Sequence, residues 1–129
     1  YMKVIISNLN LLGYEDIPKI LFTKGGGQWI KAQANSGADA LGVDWQTNLG
    51  YTRKLLDNKV ALQGNLDPAI LLSSPKTIEK FVKQILDEYG EGAGHIFNLG
   101  HGITQFTPTE NLQALLETVR NYSPKFHKE

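Results

Sequence analysis

Three apolar runs, Ile20-Leu21-Phe22-Thr23, Ala40-Leu41-Gly42-Val43 and Val60-Ala61-Leu62-Gln63, begin about twenty residues apart. Each has strand length, and each is followed by a glycine-rich or polar turn and a segment of helical spacing. One interval therefore holds one strand–helix unit. A fourth run, His95-Ile96-Phe97-Asn98-Leu99, repeats the arrangement further on. Strands that are apolar along their length, alternating with amphipathic helices, imply a parallel sheet covered by helices.

The helices between the strands carry readable punctuation. One is expected over 28–36, with Trp29 and Ile30, stopped by Gly37. Another is expected over 47–57, with Leu49, Leu55 and Leu56 inward. After the third strand, Gly64-Asn65-Leu66-Asp67-Pro68 leads into a short helical turn over 69–72. The best-marked helix starts at Pro75 after Ser74. Its Ile78, Phe81, Val82, Ile85, Leu86 and Tyr89 form one apolar stripe, and Gly90 and Gly92 end it. The last helix opens Thr107-Pro108-Thr109-Glu110, a capping box in which Thr107 and Glu110 would satisfy free amide donors.

Two architectures fit four such units: a small doubly wound sheet, or half of an eight-stranded βα barrel. Four strands cannot close a barrel alone. The chain opens Tyr1-Met2-Lys3-Val4 with no capping residue, and Tyr1, Val4, Ile5, Leu9 and Leu12 already share a helical face before Gly13. It reads as a chain entering in mid-helix, as a piece of a larger protein would. The expected fold is thus α/β: half of a (β/α)8 TIM barrel, as one domain over 1–129.

Composition narrows the function classes. Of 129 residues, 13 Lys+Arg balance 13 Asp+Glu, giving a formal net charge of zero. That balance favours neither nucleic acid nor a membrane surface as partner. There is no cysteine, which excludes disulfides, thiolate metal sites and thiol nucleophiles. No membrane-span or signal-peptide pattern is present, so the cytoplasm is the expected compartment.

Polar residues gather where the strands end: Lys24, Asp44, then Gln63, Asn65 and Asp67, then Asn98 and His101. In parallel βα folds these ends form one rim, where active sites lie. His101 sits between Gly100 and Gly102. It is either a loop anchor or a group that moves a proton or donates a hydrogen bond to a carboxylate. The Lys24-Gly25-Gly26-Gly27 loop lacks the ending of a phosphate-binding loop, and a tight strand-to-helix turn is the favoured reading. Asp44, Asp67, His95 and His101 are not expected to form a metal site. His95 opens its strand, and at about 3.3 Å per residue it lies too far from His101. Asp67 before Pro68 reads as a turn signal, and Trp29 and Trp45 as packing residues.

Four blocks at successive strand ends carry a family likeness: Leu21-Phe22-Thr23-Lys24-Gly25-Gly26, Leu41-Gly42-Val43-Asp44-Trp45, Leu62-Gln63-Gly64-Asn65-Leu66-Asp67-Pro68 and Phe97-Asn98-Leu99-Gly100-His101-Gly102. In this order they resemble the C-terminal part of the uroporphyrinogen decarboxylase family, from Tyr1 nearly to the end of the chain. The resemblance implies that the expected half is the C-terminal half of a (β/α)8 TIM barrel, and that the whole is a homodimeric barrel enzyme of porphyrin and haem biosynthesis, a carboxy-lyase. Its substrate is the tetrapyrrole uroporphyrinogen III, whose four acetate side chains it decarboxylates to give coproporphyrinogen III, with no metal and no cofactor. By the same resemblance His101 is a substrate-binding residue that contacts an acidic side chain. The family's arginines, its aspartate facing the pyrrole nitrogens, its tyrosine and its Ser/Thr contact have no counterpart here. A substrate with eight carboxylates should meet several cations, and the expected rim offers only Lys24 and His101. The 129 residues alone are therefore expected to be inactive. Two other readings are a methyltransferase of the same barrel superfamily and a non-catalytic, self-associating half-barrel. Zero cysteines argue against methyltransferases that hold zinc by thiolates.

Overall fold

In the computed structural model, which describes residues 1–127, four strands follow one another across a single sheet: β1 (Ile20–Phe22), β2 (Ala40–Gly42), β3 (Ala61–Leu66) and β4 (His95–Leu99). The final two residues of the expected domain, 128–129, lie outside the described residues. Every neighbouring pair is parallel, and the order is β1-β2-β3-β4. The helices are α1 (Met2–Leu9), α2 (Ile30–Ala34), α3 (Leu49–Leu55), α4 (Pro75–Tyr89) and α5 (Thr109–Tyr122). Short 3-10 turns precede α2, α4 and follow α5.

Register assigns the two faces. Leu21, Leu41, Leu62 and His95 are successive partners, as are Leu66 and Leu99. Partners in register share a face. This face is buried: Leu41, Leu62 and Leu66 join one core with Ile30 of α2, Leu49 of α3, Ile78 and Val82 of α4 and Leu115 of α5. The opposite face carries Ile20, Phe22 and Ile96, exposed at 50%, 46% and 42%. A doubly wound sheet needs helices on both faces and a reversal in strand order. Consecutive order with all its helices in one core is the singly wound arc, with four of the eight strands a βα barrel has.

Most expected elements form. Ser74 caps α4 by accepting the Thr77 amide, Pro75 is its first residue, and Gly90, at φ +78°, ends it. All of its stripe is buried except Phe81, which is partly so. Four expectations need correction. The two end strands, apolar along their length, are not covered along it. β1 and β4 alternate in burial, because each has a neighbour on one side only and helices on one face only. In the opening helix only Ile6 is buried, while Val4, Ile5 and Leu12 are exposed, and Gly13 at φ +88° kinks the chain after α1. The capping box does not form: α5 begins at Thr109 with Pro108 at its cap, and the Thr107 hydroxyl turns to Thr104. Trp29 is exposed at 62% and packs no core.

Candidate functional site

The carboxyl ends of the strands bring three chemically distinct side chains together: Lys24 after β1, Trp45 after β2 and His101 after β4. The His101 ring stands edge-on to Trp45, with centroids 5.6 Å apart, and meets Phe22 at 6.2 Å. The Lys24 Nζ lies 5.8 Å from the centre of the Trp45 ring. Glycines make these approaches possible. A Cβ on Gly42 would lie 2.9 Å from the Phe22 ring, so the bare position in β2 is what lets Phe22 lean towards His101. A Cβ on Gly100 would collide with the backbone of Trp45, at 2.8 Å from its Cα. The residue before His101 therefore rests directly on the Trp45 main chain. The Gly100 amide also donates to the Leu66 carbonyl at 2.8 Å, which pins the β4 exit to β3.

Beneath these side chains lies a buried polar lock. Asp44 is 3% exposed. Its Oδ2 accepts the Gly25 amide at 2.5 Å, and its Oδ1 accepts the Gln46 amide at 3.1 Å and the Thr47 hydroxyl at 2.9 Å. Asn65 donates from Nδ2 to the carbonyls of Asp44, at 2.8 Å, and Thr47, at 2.5 Å. The turn that carries Trp45 is thus held from within by Asp44 and from β3 by Asn65. These contacts satisfy groups that burial would otherwise leave unpaired.

The other expected rim residues have separate places. Asp67 caps the next helical turn by accepting the Ala69 amide at 2.9 Å, which is the turn role expected of it. Gln63 and Asn98 lie on the open face of the sheet, in register with Ile96 and Asn65 respectively. His95 opens β4 on the helix side, and His101 lies beyond the strand's other end. The His95 ring stacks on Tyr89 with centroids 4.3 Å apart, and its Nε2 is 2.9 Å from the Gly64 carbonyl oxygen. Burial pushes its pKa below the ordinary 6.5, although the contact with Gly64 favours the protonated form. The glycine loop is a turn: the Gly25 amide is taken by Asp44, and a Cβ on Gly26 would lie 2.8 Å from the Thr23 carbonyl oxygen.

An apolar groove of about 900 Å³ runs along the free edge of β4 between Phe22, His101 and the Leu112, Leu116 and Val119 side chains of α5. Much of its wall belongs to the helix layer. Of the strand-end constellation, His101 lines the groove.

The family model described as uroporphyrinogen decarboxylase (URO-D) matches residues 1–122. This chain belongs to the uroporphyrinogen decarboxylase family. Among curated relatives of that name, the Methylobacillus flagellatus protein is 56% identical over 98% of this chain, and the Nitrosospira multiformis protein 54% over 99%. The chain spans 36% and 35% of their respective lengths. Among solved structures, a methyltransferase from Methanosarcina mazei superposes with a TM-score of 0.71 at 20% identity, over 81% of this chain and 31% of the other. At that identity the likeness is one of fold. The second of the four strand-end stretches ends in Asp44-Trp45 and the fourth contains Gly100-His101, and these segments touch at the rim.

Sequence reasoning placed Asp44 and Asn65 on the rim but not in their locking roles. Their burial is the sign of those roles, and in sequence it is visible only as polar residues directly at the end of apolar runs. Asn111 is a further functional contact with no motif around it. It donates to the Leu71 and Ser73 carbonyls at 2.8 and 2.9 Å, tying α5 to the turn after β3. It lies one turn before Leu115, so an asparagine on the apolar stripe was the available signal.

Proposed function

We propose that residues 1–129 are the C-terminal part of a uroporphyrinogen decarboxylase barrel, and that the whole protein removes carbon dioxide from the four acetate side chains of uroporphyrinogen III to give coproporphyrinogen III. The observation that carries this reading is the family match across nearly the whole chain, with one of its blocks delivering His101 to the strand-end rim. In this reading the protein is a cytoplasmic homodimer and uses no metal or organic cofactor.

The chemistry runs on the substrate's own ring. A pyrrole carbon takes a proton and the ring becomes an electron sink. The bond from the acetate methylene to its carboxylate breaks, carbon dioxide leaves, and the electron pair moves into the ring. Protonation of the methylene gives a methyl group, and loss of the first proton restores the pyrrole. This chain's part is to bind and orient. His101 contacts one acidic side chain of the macrocycle, and the edge-on faces of Trp45 and Phe22 fix the direction of its ring. The strand-end rim of residues 1–129 offers only Lys24 and His101 against eight carboxylates, so these residues alone form no coproporphyrinogen.

The test is His101→Ala in the full-length protein. Losing a hydrogen bond to a charged group costs about 1.5–3 kcal/mol, so kcat/KM should fall about 10- to 100-fold with the fold intact. An unchanged kcat/KM would return His101 to the role of a loop anchor.

A further inference from the structure

We propose that Asp44 is a positioning residue whose carboxylate joins the Lys24 loop to the Trp45 turn, so that Lys24 and His101 bind a substrate carboxylate together across one indole ring. The inference rests on the reading of His101 as a contact to an acidic side chain. It adds a second group, Lys24, and a mechanism that aligns the two.

The argument starts from an aspartate at a strand end, where a carboxylate is ordinarily a candidate acid or base. Here it is buried, and both oxygens are engaged by donors. It has no free face for substrate. What it does is mechanical. Oδ1 closes the turn 44–47 on itself, and Oδ2 reaches across to the Gly25 amide, one residue from Lys24. Gly25 is held at φ +68°, a conformation that glycine enters readily. Lys24 forms no ion pair among the described residues, and its side chain is exposed over Trp45. His101 approaches the same indole at its edge, with Gly100 seated on the Trp45 backbone. A lysine and an imidazole sharing one aromatic wall make a site for a carboxylate, one supplying charge and the other a directed hydrogen bond.

Asp44→Asn tests this with little change in volume. The amide group can replace only one oxygen. Facing Gln46 and Thr47 it would meet two donors, so it settles against Gly25 and breaks the cross-link to the Lys24 loop. In the full-length protein, Asp44→Asn and Lys24→Met should each raise KM for uroporphyrinogen about tenfold, the worth of one charge-assisted contact, with kcat within about twofold. Lys24→Arg should recover most of the loss. The double variant should be no worse than either single one, because both remove the same interaction. Amide exchange at 25–27 should rise in Asp44→Asn while the β2 and β3 amides stay protected. Three results would each overturn the proposal: an unchanged KM in Lys24→Met, multiplicative effects in the double variant, or a collapse of kcat at constant KM in Asp44→Asn. Should Asp44→Asn not fold, the exposed Lys24→Met and Lys24→Arg pair decides alone. A wild-type protein that leaves uroporphyrinogen unchanged refutes the decarboxylase reading instead.

Discussion

Replacing Asn65 by alanine should cost about 2–3 kcal/mol of stability, and the structure shows where that figure comes from. The side chain is 7% exposed and gives two hydrogen bonds, to the Asp44 and Thr47 carbonyls. The Asp44 carbonyl also accepts the Thr47 amide at 3.2 Å, so it keeps a partner. For that bond the loss is the net worth of a hydrogen bond, about 1 kcal/mol. The Thr47 carbonyl is only partly buried but loses its Asn65 donor, a cost of about 1–2 kcal/mol. The measurement is the urea midpoint of the full-length protein at constant m-value. Asn65→Asp sharpens it: the carboxylate keeps the volume but faces two carbonyl oxygens with no donor, so it should destabilise at least as much as alanine. A loss below about 0.5 kcal/mol in alanine, or an aspartate variant more stable than it, would refute the claim that the amide donors hold the Trp45 turn.

Two further outcomes follow from the same contacts. Gly100→Ala should destabilise by about 1–3 kcal/mol and lower kcat/KM in parallel, because its methyl group displaces the Trp45 backbone; urea unfolding and steady-state kinetics on one sample check both. His95 gives a pH signature of definite sign. Its folded pKa lies below the ordinary 6.5, chiefly through burial, so the unfolded chain binds the proton more readily. The stability this contributes is complete above about pH 6.5 and is lost as pH falls from there through the folded pKa. His95→Gln should flatten that part of the stability–pH curve, and an identical slope in the variant would contradict it.

How much of this was legible in the sequence varied with how local the cause was. The strand runs and the α4 stripe depend on apolar periodicity within a few residues, and β4 and α4 begin and end where the sequence places them. Parallel pairing and helix cover followed from the strand–helix alternation. The half-exposure of β1 and β4 did not, because Ile20 and Ile96 are as apolar as Leu41 and differ from it in the strand and the face they occupy. The Thr107 box was correct as a pattern, yet the Thr107 hydroxyl contacts Thr104 and the helix starts later. At the site, the convergence of Lys24, Asp44, Asn65 and His101 on one rim could be read from strand ends alone. The division of labour could not: Asp44 and Asn65 are buried locks while Lys24 and His101 are exposed, and that sorting depends on contacts 18 to 21 residues apart. Arg53 shows the same limit. Its guanidinium donates to the Tyr89 and Glu91 carbonyls and lies 4.2 Å from the Tyr89 ring, clamping the end of α4 from α3 with no mark in either segment.

The most direct test of the central claim is conversion of uroporphyrinogen III by the full-length protein, purified and treated with a metal chelator, with products separated by carboxylate number. The account predicts stepwise loss of four carboxylates, ending at coproporphyrinogen III with four equivalents of carbon dioxide released. Substrate recovered with all eight carboxylates would contradict it.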